Sequence, residues 1–578
     1  MTQDEAAAPF WAKEFVYNCR HQGSHITSHK ILKGAKTRIQ HLHLRGFPDA
    51  DVFPFVISFV QNHPFLKTLS MHMTTSSEEI ENAVRISEAA QENPNLQHVQ
   101  IEFKFFDLFK LELDGEDAVS LNCLFKMAAG KMTQLKLVDF MYSNSEEFGE
   151  LAEQFLEIII SAIMNQGVFL RTLMLRGVTV LKNTGLGVLL AHQHKLQYIE
   201  IYPIGDGEWQ PLQLREITEG IVRGNSVTKL DIYGNITDYE AARVMSDFFR
   251  RYDHLKEIHF DGYKTYASRF VPVLCAKPSL QRISFEGCYH PVEHQNHRIE
   301  NLLVQNQDLR YLHIDFAASD EMFLQDISGC LVENNNLLGF GISCVGDDEI
   351  DLSPLANALV PRNGVASLQE LDIDTWVLNS ASYEALSDII KYFNLKTLKL
   401  SAKLSEADFA GLLEVCGSSS SLVTLHIEKY EDFGDPGASV LSTTLPAFFA
   451  KASIVNFSFS FEERTWNWED VQSGNLKLQI LEGLRLNPNK KFETIKLPGL
   501  FGDQLAQMQF DLDVLGICVC NRALKLVDAI NRGTMASAVL PRAFEAIQDH
   551  CQHSSEPGCA ASIMFECLQK RPQYLLDG

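Results

Sequence analysis

An apolar residue at positions one, four and six of a short stretch recurs along nearly the whole chain, and this recurrence constrains the fold more than any other feature. The stretch SLQRISFEGC, residues 279–288, shows the unit: Leu280, Ile283 and Phe285 occupy the three places and Cys288 the ninth. The same triplet appears as Ile39/Leu42/Leu44, Leu66/Leu69/Met71, Leu96/Val99/Ile101, Leu135/Val138/Phe140, Leu170/Leu173/Leu175, Leu196/Ile199/Ile201, Val227/Leu230/Ile232 and Leu255/Ile258/Phe260. It continues as Leu309/Leu312/Ile314, Leu337/Phe340/Ile342, Leu368/Leu371/Ile373, Leu395/Leu398/Leu400, Leu422/Leu425/Ile427, Ile454/Phe457/Phe459 and Phe492/Ile495/Leu497. One triplet means little in a hydrophobic protein; sixteen, at steps mostly of 25 to 32 residues, define a repeat.

The gaps between triplets read as helices. SSEEIENAVRISEAA opens on a capping box from Ser76 to Glu79, TDYEAARVMSDFF on one from Thr237 to Glu240, and SEADFAGLLEV places Asp408 at the third position. Breakers precede several strands, as in HPFL at 63–66, NPNL at 93–96 and KPSL at 277–280. Each unit is thus a strand and an antiparallel helix that cannot bury their apolar faces alone, so the units must stack. The expected fold is an α/β solenoid of horseshoe form, with a parallel β-sheet on the concave side and α-helices on the convex side.

These triplets and their step of roughly 28 residues resemble the leucine-rich repeats of the ribonuclease-inhibitor-like class over about residues 39 to 520. The resemblance implies a binding platform found inside cells. The chain departs from that family at the ninth position, where Asn or Cys is expected to bond neighbouring loops and only Asn235, Cys288 and Cys520 comply. The expected organisation is an N-terminal helical cap at 1–38, a solenoid of about 16 repeats at 39–505, and a final repeat with a C-terminal helical cap at 506–578. Trp11, Phe15 and Val16 stand at helical spacing in the first cap, and LDVLGICVC at 512–520 would form a seventeenth unit. Long steps point to inserted loops at 103–117 and 461–470, the first including Phe105 and the last Trp466 and Trp468.

Composition narrows the function classes. A 578-residue chain that is 46% hydrophobic and 21% charged has a globular balance. Its formal net charge of -24 argues against nucleic acid and anionic membranes, which both require clustered Lys and Arg. The start MTQDEAAAPFWAKEF lacks the pattern of a secretory signal, and FLEIIISAIM at 155–164 is too short to span a bilayer. Twelve scattered cysteines suit a reducing compartment, so the expected location is cytoplasmic, with the nucleus left open.

No signature of catalysis emerges. The chain lacks a phosphate-binding loop, HExxH, GxSxG and the kinase set, and GLG at 185–187 lacks a third glycine. His550, Cys551, His553 and Cys559 match no common zinc spacing, while Cys518 and Cys520 read as strand residues on one face. No enzyme activity, cofactor or metal is expected.

Positions three, five and seven of each strand must face away from the helices. In the middle repeats these columns hold the candidate partner-binding residues: Glu200, Tyr202, Asp231, Tyr233, Glu257, Asp261, Glu286, Tyr311, His313, Asp315, Glu370, Asp372 and Asp374. Carboxylates interspersed with tyrosines suit a protein partner with a basic surface, although any exposed strand face must be polar. His43, His259, His313 and His426 fall in the same columns as contact or solvated residues. Two other roles stay open. One is an enzyme regulator such as a GTPase-activating protein of the Ran type, with Arg45 and Arg176 as the arginines to consider; the other is substrate recognition in a ubiquitin ligase, although residues 1–38 show no F-box pattern.

Overall fold

The computed structural model describes residues 14–18, 39–47, 53–74, 76–104, 115–138, 146–176, 185–202, 207–262, 270–287, 300–317, 321–334, 336–360, 368–378, 380–404, 406–429, 438–461, 473–487, 491–492, 494–496, 514 and 518. The fold is α/β and solenoid-like, and the chain forms two compact units, Met1–Asn306 and Gln307–Gly578.

In the first unit the strands are β1 (Glu14–Asn18), β2 (His41–Arg45), β3 (Thr68–Met73), β4 (His98–Lys104), β5 (Met132–Val138), β6 (Thr172–Leu175), β7 (Tyr198–Ile201), β8 (Lys229–Tyr233), β9 (Glu257–Asp261) and β10 (Arg282–Glu286). Each pairs in parallel with the next in chain order. In the second unit β11 (Tyr311–Ala317), β12 (Gly339–Ile350), β13 (Glu370–Leu378), β14 (Thr397–Lys403), β15 (Thr424–Lys429), β16 (Asn456–Phe461) and β17 (Thr494–Lys496) do the same. Helices fill the connections from β2 onward and pack on their chain neighbours within each unit.

The triplets form the core. Among the described residues the triplet positions are buried in every copy, except that Ile495 of the last is half-buried; Phe140, Leu497 and the side chain of Val138 lie outside the described residues. In the fourth, the spacing puts Leu135, Val138 and Phe140 at one, four and six, but Met132, Leu135 and Leu137 take the buried places. MTQLKLVDF contains both triplets, so its own pattern cannot choose between them. The choice comes from β6, where Leu135 lies opposite Leu173 and Leu137 opposite Leu175, while the ladder to β4 absorbs the difference in a bulge between Val99 and Gln100.

Two other expectations shift. Phe15 and Val16, spaced for a helix, lie in β1, which extends the sheet one strand before the first triplet. EFVYN is rich in aromatic and β-branched residues, and the open edge of β2 offers it a ladder of hydrogen bonds. Val514 and Cys518 are helical and buried, so Cys518 is not in the strand of a seventeenth repeat unit; residues four apart share a helix face. Phe105, Trp11, Trp466, Cys288, Cys520 and the His550 group lie outside the described residues.

The helices follow their local chemistry. Tyr239–Arg251 buries Ala241, Ala242, Val244, Met245, Phe248 and Phe249 while Glu240–Arg243 and Asp247–Arg250 pair across its exposed face. Its cap is Asp238, which accepts from Ala241 N at 2.9 Å, and not Thr237; aspartate is the stronger acceptor at that place. Ser76 caps the helix Ser77–Glu92 as expected, but Glu79 reaches back to Thr74.

Side-chain bonds between neighbouring repeats recur at the turns that enter the strands, three residues before the triplet in the first unit and five before it at Asn487. Asn93 Nδ2 donates to Val60 O at 2.7 Å and His63 O at 3.1 Å, and Gln193 Nε2 to Val168 O at 2.9 Å. Asn306 Nδ2 donates to Lys277 O at 3.0 Å, and Lys277 Nζ to Arg250 O and Tyr252 O at 3.3 Å each. In the second unit Asn487 Nδ2 donates to Phe449 O at 2.6 Å and Ala452 O at 2.9 Å. These side chains satisfy carbonyls left open where the preceding helix ends. At the ninth position, Asn235 engages the neighbouring loop through its backbone, its N–H donating to Gly207 O and its carbonyl accepting from Trp209 N.

Candidate protein-binding face

Alternation along each strand sends positions four and six under the helices and positions three, five and seven to the helix-free face. Parallel register then aligns these columns laterally. In the first unit Glu200 lies opposite Asp231, Asp231 opposite His259, Tyr233 opposite Asp261, and Asp261 opposite Glu286.

Two of the carboxylates in this unit do not belong to an open acidic surface. Glu200 and Asp231 are only 1% and 5% exposed. The Tyr198 hydroxyl stands 2.7 Å from Glu200 Oε2 and 2.6 Å from Asp231 Oδ2, with one proton to donate between them. Burial, and then both carboxylates, push the Tyr198 phenol up, so it stays a donor. Arg176 Nε donates to Glu200, and Lys229 Nζ sits 3.4 Å from Asp231 Oδ2 and 4.3 Å from the Tyr198 ring centroid. Two acids and two bases therefore lock neighbouring strands together.

Beyond that locked cluster lies an aromatic row. Tyr202 is 39% exposed and stacks on Tyr233 with centroids 4.3 Å apart and planes at 18°. Tyr233 leans on His259 at 5.2 Å, and His259 Nδ1 is 3.5 Å from Glu286 Oε1, which also accepts from Ser284 Oγ at 2.9 Å. Glu257, Asp261 and Glu286 are half-exposed beside this row.

In the second unit the face is opened by two glycines. A side chain at Gly341 would collide with the His313 imidazole, and one at Gly339 with the Tyr311 ring. His313 Nε2 stands 2.9 Å from Ser343 Oγ and 3.6 Å from Asp315 Oδ1. Both approach the same ring nitrogen, whereas a nucleophilic triad places them on opposite nitrogens. Lys399 Nζ lies 2.7 Å from Glu370 Oε1 and 3.5 Å from Asp372 Oδ2. Burial works against the Lys399 ammonium, yet these two acids hold its pKa above the usual lysine value. Asp374 behaves oppositely: burial, reinforced by Asp315 and Asp372, raises its carboxyl.

The structure thus brings the expected residues together within each unit and pairs four of the acids with bases, of which Lys229 already interrupts the columns in the sequence. Arg176 meets Glu200, Lys229 meets Asp231, Lys399 meets Glu370 and Asp372, and Ser343 stands beside His313. The sequence signal for them was the lateral row: Lys399 pairs in register with Asp372, and Ser343 with Asp315. No helix among the described residues is long and apolar enough to cross a membrane.

No protein-family model matches the chain, and none of the curated proteins is significantly similar to it.

Proposed function

We propose that the chain is a non-catalytic, intracellular interaction scaffold built from leucine-rich repeats of the ribonuclease-inhibitor-like class. On this reading it binds a protein partner with a basic surface on the helix-free face. The supporting observation is the exposed Tyr202, stacked on Tyr233, with Asp261 and Glu286 next along the same lateral row and Glu257 half-exposed on β9. A rigid aromatic pair offers contact area at little entropic cost, and the adjacent acids favour approach of a cationic surface. The six described cysteines are free thiols, which suits a reducing compartment. A regulator that lends an arginine to a nucleotide is less well supported, since Arg176 is held by Glu200.

The test is affinity capture with the wild-type chain beside a Tyr202→Ala/Glu257→Lys variant shown to be folded by circular dichroism. A protein retained by the first in a salt-sensitive manner and lost from the second supports the reading. Equal recovery by both overturns the assignment of this face.

A further inference from the structure

We propose that His259, Asp261 and Glu286 form a binding site for a divalent first-row transition ion of the zinc type. One nitrogen of His259 and one carboxylate oxygen from each of the other two all lie within 4.8 Å of one another. The parallel ladder creates this juxtaposition. His259 and Asp261 are two residues apart on β9 and so share a face, while Glu286 on β10 is in register with Asp261.

Donor chemistry and spacing both suit such an ion. One imidazole and two carboxylates make an N/O donor set of the kind that zinc accepts, with room left for water or a ligand from outside. Bonds of about 2.1 Å in a tetrahedron set ligand atoms about 3.4 Å apart. The His259 Nδ1 to Glu286 Oε1 separation is already 3.5 Å. Ser284 Oγ, donating to Glu286 Oε1, holds that carboxylate in place from the same strand.

A second observation is independent of these three residues. Asp231 lies beside His259 in the register and is 5% exposed, and its Oδ1 has no hydrogen-bond partner among the described residues. Its other oxygen, Oδ2, is taken on the β7 side by Tyr198. A buried carboxylate oxygen left open calls for a donor or a cation. The inference goes beyond partner binding and holds whether or not a protein docks on this face.

The test needs only the full chain, kept reduced, and metal. Zinc is titrated calorimetrically, and cobalt(II) is followed by its visible d–d absorption, in the wild type, His259→Ala, Glu286→Gln and, as a control, His426→Ala. His426 also faces a glutamate, Glu428 at 2.9 Å, but is in no three-ligand group among the described residues. The expected result is one equivalent in the wild type that is lost or weakened at least tenfold in His259→Ala and Glu286→Gln. It is unchanged in His426→Ala, and its cobalt spectrum lacks thiolate charge-transfer bands. Indistinguishable titrations for the wild type and His259→Ala, with circular dichroism confirming both folded, overturn the site. Partner capture is not part of this readout, so failure here leaves the scaffold reading standing, and failure of capture leaves this site standing.

Discussion

The Tyr198 hydroxyl bridges β7 and β8 by standing 2.6 Å from Asp231 Oδ2 while also meeting Glu200 on its own strand. Removing that one oxygen leaves two buried carboxylates without their shared donor. Tyr198→Phe is therefore expected to destabilise the first unit by about 1–3 kcal/mol, read as a lower urea midpoint. An unchanged midpoint would mean that Arg176 and Lys229 satisfy both acids unaided.

Glu102 gives a pH prediction. Burial alone would raise its carboxyl, but the hydrogen bond and charge of His72 at 3.1 Å, with Lys136 at 3.3 Å and Lys104 at 3.6 Å, bring it down to about 2. A carboxyl depressed in the folded state contributes stability above its ordinary value of 4.5 and loses it as pH falls toward about 2. The stability gap between wild type and Glu102→Gln should be widest above pH 4.5 and narrow progressively below it. Urea titrations at several pH values measure this; a gap that does not change with pH refutes the coupling.

Close helix approach in the first unit depends on Gly187 and Gly220. A β-carbon at Gly187 would stand 2.7 Å from the Glu216 carbonyl oxygen, and one at Gly220 2.9 Å from the Gly187 Cα. Backbone cannot yield as a side-chain tip can, so Gly220→Ala should cost about 1–3 kcal/mol. Gly329, inside the helix Glu321–Glu333, has nothing within 4 Å of its β-carbon position. Gly329→Ala should accordingly stabilise by about 0.5–1 kcal/mol through helix propensity. Thermal denaturation of the two variants should move in opposite directions.

The entry turns yield the fourth prediction. Asn93→Ala removes three hydrogen bonds, the two that Nδ2 donates to the carbonyls of Val60 and His63 and the one that Oδ1 accepts from Asn95 N. A loss of about 1–3 kcal/mol is expected, and Asn487→Ala should behave alike in the second unit, where it strands the Phe449 and Ala452 carbonyls. Hydrogen exchange should show faster opening near the altered turn, because each turn is tied to its neighbour. Neutral substitution at both places would show that water replaces these bonds without cost.

Much of the fold was legible because its strongest determinant is local and repeated. Ile283 and Phe285, two apart, must share a side in any strand, Leu280 joins them in the core from the turn before β10, and the same pattern at each step predicts a parallel ladder. The entry-turn bonds were also written in the sequence, as Asn93 before Leu96 and Asn306 before Leu309, but attention to the ninth position passed over them. The candidate face was legible only as columns. Reading down a strand identifies Glu200, Asp231 and Glu370 as outward-facing and puts Lys229 among them; it does not reveal which carboxylate Arg176, Lys229 or Lys399 meets.

By itself, then, the sequence determined the strand–helix alternation, the stacking and the residues of the core, since burial of an apolar triplet depends on spacing along the chain. Tertiary structure decided what depends on register between strands. It chose Met132, Leu135 and Leu137 over the overlapping triplet, turned Glu14–Asn18 into a strand, buried Glu200 and Asp231 against Tyr198, and set His259 beside Glu286. Side-chain pairing across a parallel sheet joins residues some 25 or more positions apart, and a shift of one residue in register exchanges every partner.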